Sequence, residues 1–185
     1  SKLCNENIAE TYAKNFKIGQ DAQCWGSISL RISQNAEVKI GKNCTIVSNN
    51  NRAGITVFTK FKITALFGSK IYIGENVSFN GTSLSCRTSS ISIGSGTIIG
   101  PNVVIVDSDF HGIYPAINRE NNLDYASDRP VKIDDNVWIG MNTVILKGVN
   151  IGENSVIAAG SIVKNDIPSN CLAAGNPAKK IKDLN

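Results

Sequence analysis

From Ile133 onward an aliphatic residue returns at every sixth position without a miss: Ile133, Ile139, Ile145, Ile151, Ile157, Val163. The residue after it is usually small or acidic (Asp134, Gly140, Gly152, Ala158), and the third residue after it is often Asn or Gly (Asn136, Asn142, Gly148, Asn154, Gly160). Asn and Gly tolerate positive φ. The same phrase stands upstream as Ile93-Gly94, Ile99-Gly100 followed by Ile105, Ile73-Gly74-Glu75-Asn76, Ile40-Gly41-Lys42-Asn43 and Ile18-Gly19. A period of six fits neither the helical 3.6 nor a long alternating strand. It fits short strands separated by tight corners, with the aliphatic side chains stacked inward coil on coil. A longer phrase opens at Val131 and again at Val149, an 18-residue step that gives three strands per triangular turn. The chain is therefore expected to be all-β, a parallel β-helix in which each coil covers the backbone edge of the next and the two ends need caps.

One domain over residues 1–185 is expected: an N-terminal cap at 1–17, coils at 18–110, a loop insertion at 111–130, further coils at 131–168 and a short C-terminal cap at 169–185. The loop is where the rhythm fails. After Ile105 the next expected position is His111, and the pattern resumes only at Val131 and Ile133. The polar stretch between holds Tyr114, Arg119, Glu120, Asp124, Tyr125, Asp128 and Arg129. A solenoid accepts an insertion at a corner because the stacked strands are undisturbed, and such loops often carry binding.

Composition narrows the function classes. No apolar run reaches the roughly 18 to 20 residues of a membrane span, and Ser1 to Glu10 lack the apolar stretch of a secretory signal, so a soluble, cytoplasmic chain is expected. The five cysteines form no CxxC pair, and Cys44 and Cys171 lie in apolar contexts, which points to reduced, packed thiols and to no metal site. The net charge of +4 carries no dense basic block beyond Lys179, Lys180 and Lys182, which argues against nucleic acid and suits a small anionic ligand.

The ordered motifs Val137-Trp138-Ile139-Gly140, Ile145-Leu146-Lys147-Gly148-Val149, Ile151-Gly152, Val156-Ile157-Ala158-Ala159-Gly160-Ser161, Ile167-Pro168 and Gly175-Asn176-Pro177-Ala178-Lys179 closely resemble the hexapeptide-repeat acyltransferases, especially sugar and polysaccharide O-acetyltransferases of the galactoside/maltose type. The resemblance spans about residues 70–182. Spacing alone does not give the hand of the coil; the resemblance implies a left-handed parallel β-helix and a homotrimer. It also implies acetyl-CoA as co-substrate and a saccharide as acceptor.

The only histidine, His111 in Asp107-Ser108-Asp109-Phe110-His111-Gly112, stands where the repeat is interrupted. A lone histidine is commonly an ordinary surface or packed residue, but the resemblance places the family's catalytic histidine here, after a short acidic segment. A sugar hydroxyl is a poor nucleophile at neutral pH, whereas a thioester is already activated. The enzyme needs to hold both and remove one proton, a task for an imidazole in direct transfer without an acyl-enzyme. Asp107 or Asp109 could orient the ring, or both could belong to a polar corner; Asp109 is carried as the candidate.

By resemblance the pantetheine arm lies along corners containing Gly140, Met141, Ala159 and Gly160, with Trp138 near the reacting end and Lys164, Lys179 and Lys182 toward the cofactor. Each lysine has the competing reading of a solvated tail, and Trp138 that of covering the coil exterior. Asn80, Ser85 and Arg87 are acceptor candidates facing the histidine across a neighbouring subunit, with Arg87 suited to an anionic group. A β-helical carbonic anhydrase needs several histidines for zinc and does not fit. An ice-binding face would repeat Thr outward, which the chain does not do. The closest competitor is an N- or O-acyltransferase of the same superfamily acting on an amino sugar, serine or an antibiotic; serine acetyltransferases generally carry an added N-terminal helical domain, not expected here.

Overall fold

The computed structural model describes residues 15–117, 119–124 and 127–184, so the segment before Asn15 and the loop residue Tyr125 lie outside the described residues. The described strands form three sheets around one core, with no α-helix among them. The first sheet stacks β1 (Phe16–Ile18), β4 (Glu37–Ile40), β7 (Lys70–Ile73), β10 (Ser90–Ile93), β13 (Val131–Ile133) and β16 (Asn150–Ile151). The second stacks β2 (Gln23–Trp25), β5 (Thr45–Val47), β8 (Ser78–Asn80), β11 (Ile98–Pro101), β14 (Trp138–Ile139), β17 (Val156–Ile157), β19 (Cys171–Gly175) and β20 (Ala178–Asp183). The third stacks β3 (Ser29–Ile32), β6 (Lys62–Ala65), β9 (Ser83–Cys86), β12 (Val104–Val106), β15 (Val144–Ile145) and β18 (Ile162–Val163). From β1 to β18 consecutive strands fall in successive sheets, so the chain winds as a triangular coil. All pairings are parallel except β19 with β20, which closes the C-terminal end as an antiparallel hairpin.

The six-residue rhythm is the inward ladder. Ile73, Ile93, Ile133 and Ile151 lie in register on the first sheet, Phe79, Ile99, Ile139 and Ile157 on the second, and Leu84, Ile105, Ile145 and Val163 on the third. All of these are buried. Fully burying one such side chain contributes about 1.5–3 kcal/mol, and the ladder repeats that gain in every coil.

Corners explain the rest of the phrase. A Cβ on Gly74 would lie 2.6 Å from the Ser95 nitrogen of the next coil, so glycine after the isoleucine permits close stacking of turns. The Asn and Gly positions serve the turn itself: Asn136, Asn142 and Asn154 have φ of 57°, 56° and 58°, and Gly148 and Gly160 have 79° and 72°. Inward corner hydroxyls satisfy carbonyls that the turns leave free. Thr143 donates to Gly140 (2.8 Å), Ser155 to Pro168 (2.6 Å) and Ser161 to Ala158 (2.7 Å). Cys44 and Cys171 do the same from buried positions, with their thiols directed at the carbonyls of Gly74 and Pro168.

The architecture departs from the sequence reading in three places. The array is interrupted twice, the second insertion being residues 48–61 between β5 and β6. It was hidden because Ile55, Val57, Phe61 and Ile63 keep an apolar rhythm; Val57 and Phe61 are buried, whereas Ile55 and Phe58 face solvent. The insertion lies over the corner between the second and third sheets, where Thr59 donates to the Gly81 carbonyl and the Phe58 N–H donates to Asn102 Oδ1. At the N-terminal end, β1 starts inside the segment expected as a cap and pairs in parallel with β4. At the C-terminal end, β19 continues the second sheet beyond residue 168 before β20 turns back.

Candidate active site

The first insertion leaves the coil after β12. Asp107, fully buried, holds its base from both sides. Its carboxylate accepts the N–H groups of Arg87 (2.7 Å) and Ser89 (2.9 Å) and the Cys86 thiol, and its carbonyl accepts the N–H of Arg129, where the chain returns (3.0 Å). Burial, followed by the Asp107 charge, pushes the Cys86 thiol far up, so it remains a neutral donor.

Beyond this base the chain turns tightly. Ser108 Oγ accepts the Phe110 N–H (2.7 Å), Phe110 adopts φ of 66°, and the His111 N–H donates to the Asp109 carbonyl (2.8 Å). Gly112 packs so closely on Asn122 that a Cβ would meet its side chain, and the two are joined by a backbone hydrogen bond of 2.6 Å. This contact folds the loop back so that the Arg119 carbonyl reaches His111.

The His111 ring is exposed, and its Nδ1 lies 2.9 Å from the Arg119 carbonyl oxygen. A carbonyl only accepts, so Nδ1 carries the proton in the neutral ring and Nε2 keeps its lone pair. The ring is thus set in the tautomer a general base requires.

Asp109 is not what orients it. Its Oδ2 pairs with Lys147 Nζ at 2.6 Å, tying the loop to the corner after β15. Asp107 likewise belongs to the base of the loop, where its carboxylate is engaged by the N–H groups of Arg87, Thr88 and Ser89 and by the Cys86 thiol. Arg87 corrects the sequence reading more sharply. It is 5% exposed, and its guanidinium is engaged with the protein. Nε and Nη2 grip Asp128 (2.9 and 2.6 Å), Nη1 donates to the Phe110 carbonyl (2.6 Å), and Nη2 also donates to the Asp124 carbonyl (2.7 Å). It cannot also receive an anionic acceptor. Burial alone would raise the Asp128 carboxyl, but hydrogen bonds from Arg87, Thr88 and Ser108, with the Arg87 charge, outweigh it and hold the group below the usual carboxylate range.

The three acceptor candidates do not converge within one chain. Asn80 ends β8 at the corner between the second and third sheets, Ser85 is on the outer face of the third, and Arg87 lies past its far edge. The coenzyme A candidates do line up. Gly140 and Met141 stack on Ala159 and Gly160 along that same second-to-third corner, with the Gly160 N–H on the Met141 carbonyl (2.8 Å). Below them the Gly175 N–H meets Ser161 Oγ (3.2 Å), so the column runs on into the β19–β20 turn, beyond which Lys179 and Lys182 are exposed. Open space faces Gly160, where a Cβ would meet nothing within 4 Å. Lys164 is exposed just past β18, and Trp138 stands outward on the second sheet between Ile98 and Val156. Among the described residues, no group of three or more His, Cys, Asp or Glu side chains is placed to hold a metal ion.

Residues 130–165 match the model of the bacterial transferase hexapeptide repeat (six repeats). The chain also matches the crystal structure of the polySia-specific acetyltransferase NeuO at 34% identity and a TM-score of 0.73, covering 91% of this chain and 67% of that one. The chain belongs to the hexapeptide-repeat acyltransferase family. Its β-helix is accordingly left-handed. The galactoside O-acetyltransferase of Escherichia coli (strain K12) is 43% identical over 121 residues, 64% of this chain and 57% of that protein. A galactoside acetyltransferase in complex with coenzyme A superposes with a TM-score of 0.55 at 27% identity, covering 100% of this chain and 72% of that one. The chain spans little more than half the length of the first curated relatives it matches.

Two features of this family member had no readable sequence signal. The Arg119 carbonyl acts through backbone, which any residue would supply. Asp128 reaches Arg87 across 41 residues, a contact that only the stacking of coils creates.

Proposed function

We propose that the chain transfers an acetyl group from acetyl-CoA to a hydroxyl of a saccharide, with His111 Nε2 as general base. The observation that carries this reading is the His111 ring itself: exposed, at the break in the array, with Nδ1 committed to the Arg119 carbonyl. Nε2 takes the proton of the acceptor hydroxyl as its oxygen attacks the thioester carbonyl. The tetrahedral intermediate expels the thiolate, and the imidazolium returns the proton to it, leaving the acetyl ester and coenzyme A. A positioned base of this kind contributes about 10²- to 10⁴-fold, and alignment of the two substrates contributes further.

The corner column of Gly140, Met141, Ala159 and Gly160 suits the pantetheine arm, because its exposed backbone can hydrogen-bond the amides and open space adjoins Gly160. Lys179 and Lys182 suit the phosphate-bearing end. Relatives named for galactoside and polysialic acid acetylation favour a saccharide acceptor.

His111 follows the third sheet, whereas the Gly140 column precedes it, so the two occupy different corners of one chain. A closed homotrimer would bring the loop of one subunit to the column of the next. The outward Ile113, Tyr114 and Ile117 of the same loop give that neighbour an apolar surface to cover. Among the described residues no helix is long and apolar enough to cross a membrane.

Mass-spectrometric detection of products from acetyl-CoA and a panel of mono-, oligo- and amino-sugars tests the reaction class. Acetyl esters that hydroxylamine cleaves are expected. Amide products alone would replace a hydroxyl acceptor with an amine.

A further inference from the structure

We infer that the buried Arg87–Asp128 pair is a positioning element for His111, setting the ring for proton abstraction without touching either substrate. The inference rests on the reading of His111 as base. One guanidinium holds three separate points at or beside the insertion: the Phe110 carbonyl, immediately before the histidine, the Asp124 carbonyl, and Asp128 on the returning arm. Asp128 is fixed in turn by Thr88 Oγ1, which donates to Oδ2 at 2.6 Å. The pair therefore locks the outgoing and returning arms of the loop to the coil that carries β9.

A general stabilising role would be satisfied by any of these contacts. The bond to Phe110 is specific to the histidine. Phe110 holds φ of 66°, a region an aromatic residue adopts only when its surroundings impose it. Two hydrogen bonds bracket its backbone in that conformation, Arg87 Nη1 on its carbonyl and Ser108 Oγ on its N–H. If Nη1 is withdrawn, the peptide between Phe110 and His111 keeps only the His111 N–H bond to the Asp109 carbonyl. Both His111 contacts depend on that peptide: its N–H on the Asp109 carbonyl and Nδ1 on the Arg119 carbonyl.

Lysine cannot replace the arginine, because one ammonium does not span the three acceptors that the planar fork reaches. Asparagine at 128 keeps the shape of the side chain but offers an N–H where the fork needs a second acceptor.

The chain has one histidine, so ¹⁵N-histidine labelling gives a single pair of ring signals that report tautomer directly. In the wild type the neutral ring is expected to be almost wholly protonated on Nδ1. In Arg87→Lys and Asp128→Asn, both checked for cooperative thermal unfolding, the ratio is expected to move toward that of a solvated histidine side chain, in which the proton is mostly on Nε2. With acetyl-CoA and an acceptor from the saccharide panel, kcat should fall by about 10²-fold, the scale of a small misplacement of a reacting group. KM for acetyl-CoA should stay within about twofold, since the corner column is untouched. If Arg87→Lys does not fold, Asp128→Asn carries the test. A wild-type tautomer ratio and kcat in a folded variant would overturn the proposal, as would a loss confined to KM. The His111→Ala variant separates the two readings. Full activity in it would remove His111 as base whatever Arg87 does, whereas its inactivity beside an unaffected Arg87→Lys would remove only the positioning role.

Discussion

Among the described residues, buried charge gathers at the base of the histidine loop, in Arg87, Asp128 and Asp107, and the surroundings of the Arg87–Asp128 pair dictate how it responds to pH and to mutation. Removing one partner leaves the other buried and unpaired, so Arg87→Met should lower stability by about 3–5 kcal/mol in denaturant unfolding. Because Asp128 is held below the usual carboxylate range, its contribution is present above the unfolded carboxylate pKa of about 3.9 and is lost as pH falls through its lower folded value. The wild type should therefore lose stability more steeply than Asp128→Asn as pH falls below about 4. The neighbouring Cys86 follows the opposite sign: burial and the Asp107 charge raise its pKa, so it should resist thiol reagents at pH 8 until the protein unfolds. At this scale the sequence was only partly readable. His111 announced itself by being alone at the break in the repeat. Arg87 looked like a binding residue because its partner stands 41 positions away. The orienting group for the ring is a carbonyl, which has no sequence signature.

Each strand contributes a short segment whose inward residues meet their counterparts one coil above and one below. Ile139 lies between Ile99 and Ile157 and is fully buried, so Ile139→Ala should cost about 2–5 kcal/mol. Gly74→Ala should also destabilise, by about 1–3 kcal/mol, because the new Cβ meets the backbone of Gly94 and Ser95 as well as the Ser95 hydroxyl. Equilibrium unfolding measures both; a neutral effect at either site would mean that the coils stack less tightly than described. These elements were legible because the Ile-Gly-x-Asn phrase states an inward residue, a close approach and a left-handed corner in four letters. The insertion at 48–61 was not, since Ile55, Val57 and Phe61 mimic the inward rhythm while the backbone leaves the coil. The two ends differ: β1 carries the Ile18-Gly19 phrase and begins just before the expected coils, whereas β19 pairs like other strands although its sequence carries little of the repeat.

For the whole molecule, the histidine loop and the proposed coenzyme A column are on different edges of the prism, and the proposed active site needs them together. Placing Asp at both Ile113 and Ile117 should break the proposed subunit contact. Light scattering should then report a monomer, and acetyl transfer should be lost although coenzyme A still binds. A wild-type monomer with full activity would overturn the shared site. The assay that bears most directly on the account is the initial rate of acetyl-ester formation, read by mass spectrometry at saturating acetyl-CoA, for the wild type against His111→Ala. A fall of about 10²- to 10⁴-fold with coenzyme A affinity unchanged is expected if His111 is the base. Equal rates in the two proteins would contradict that role.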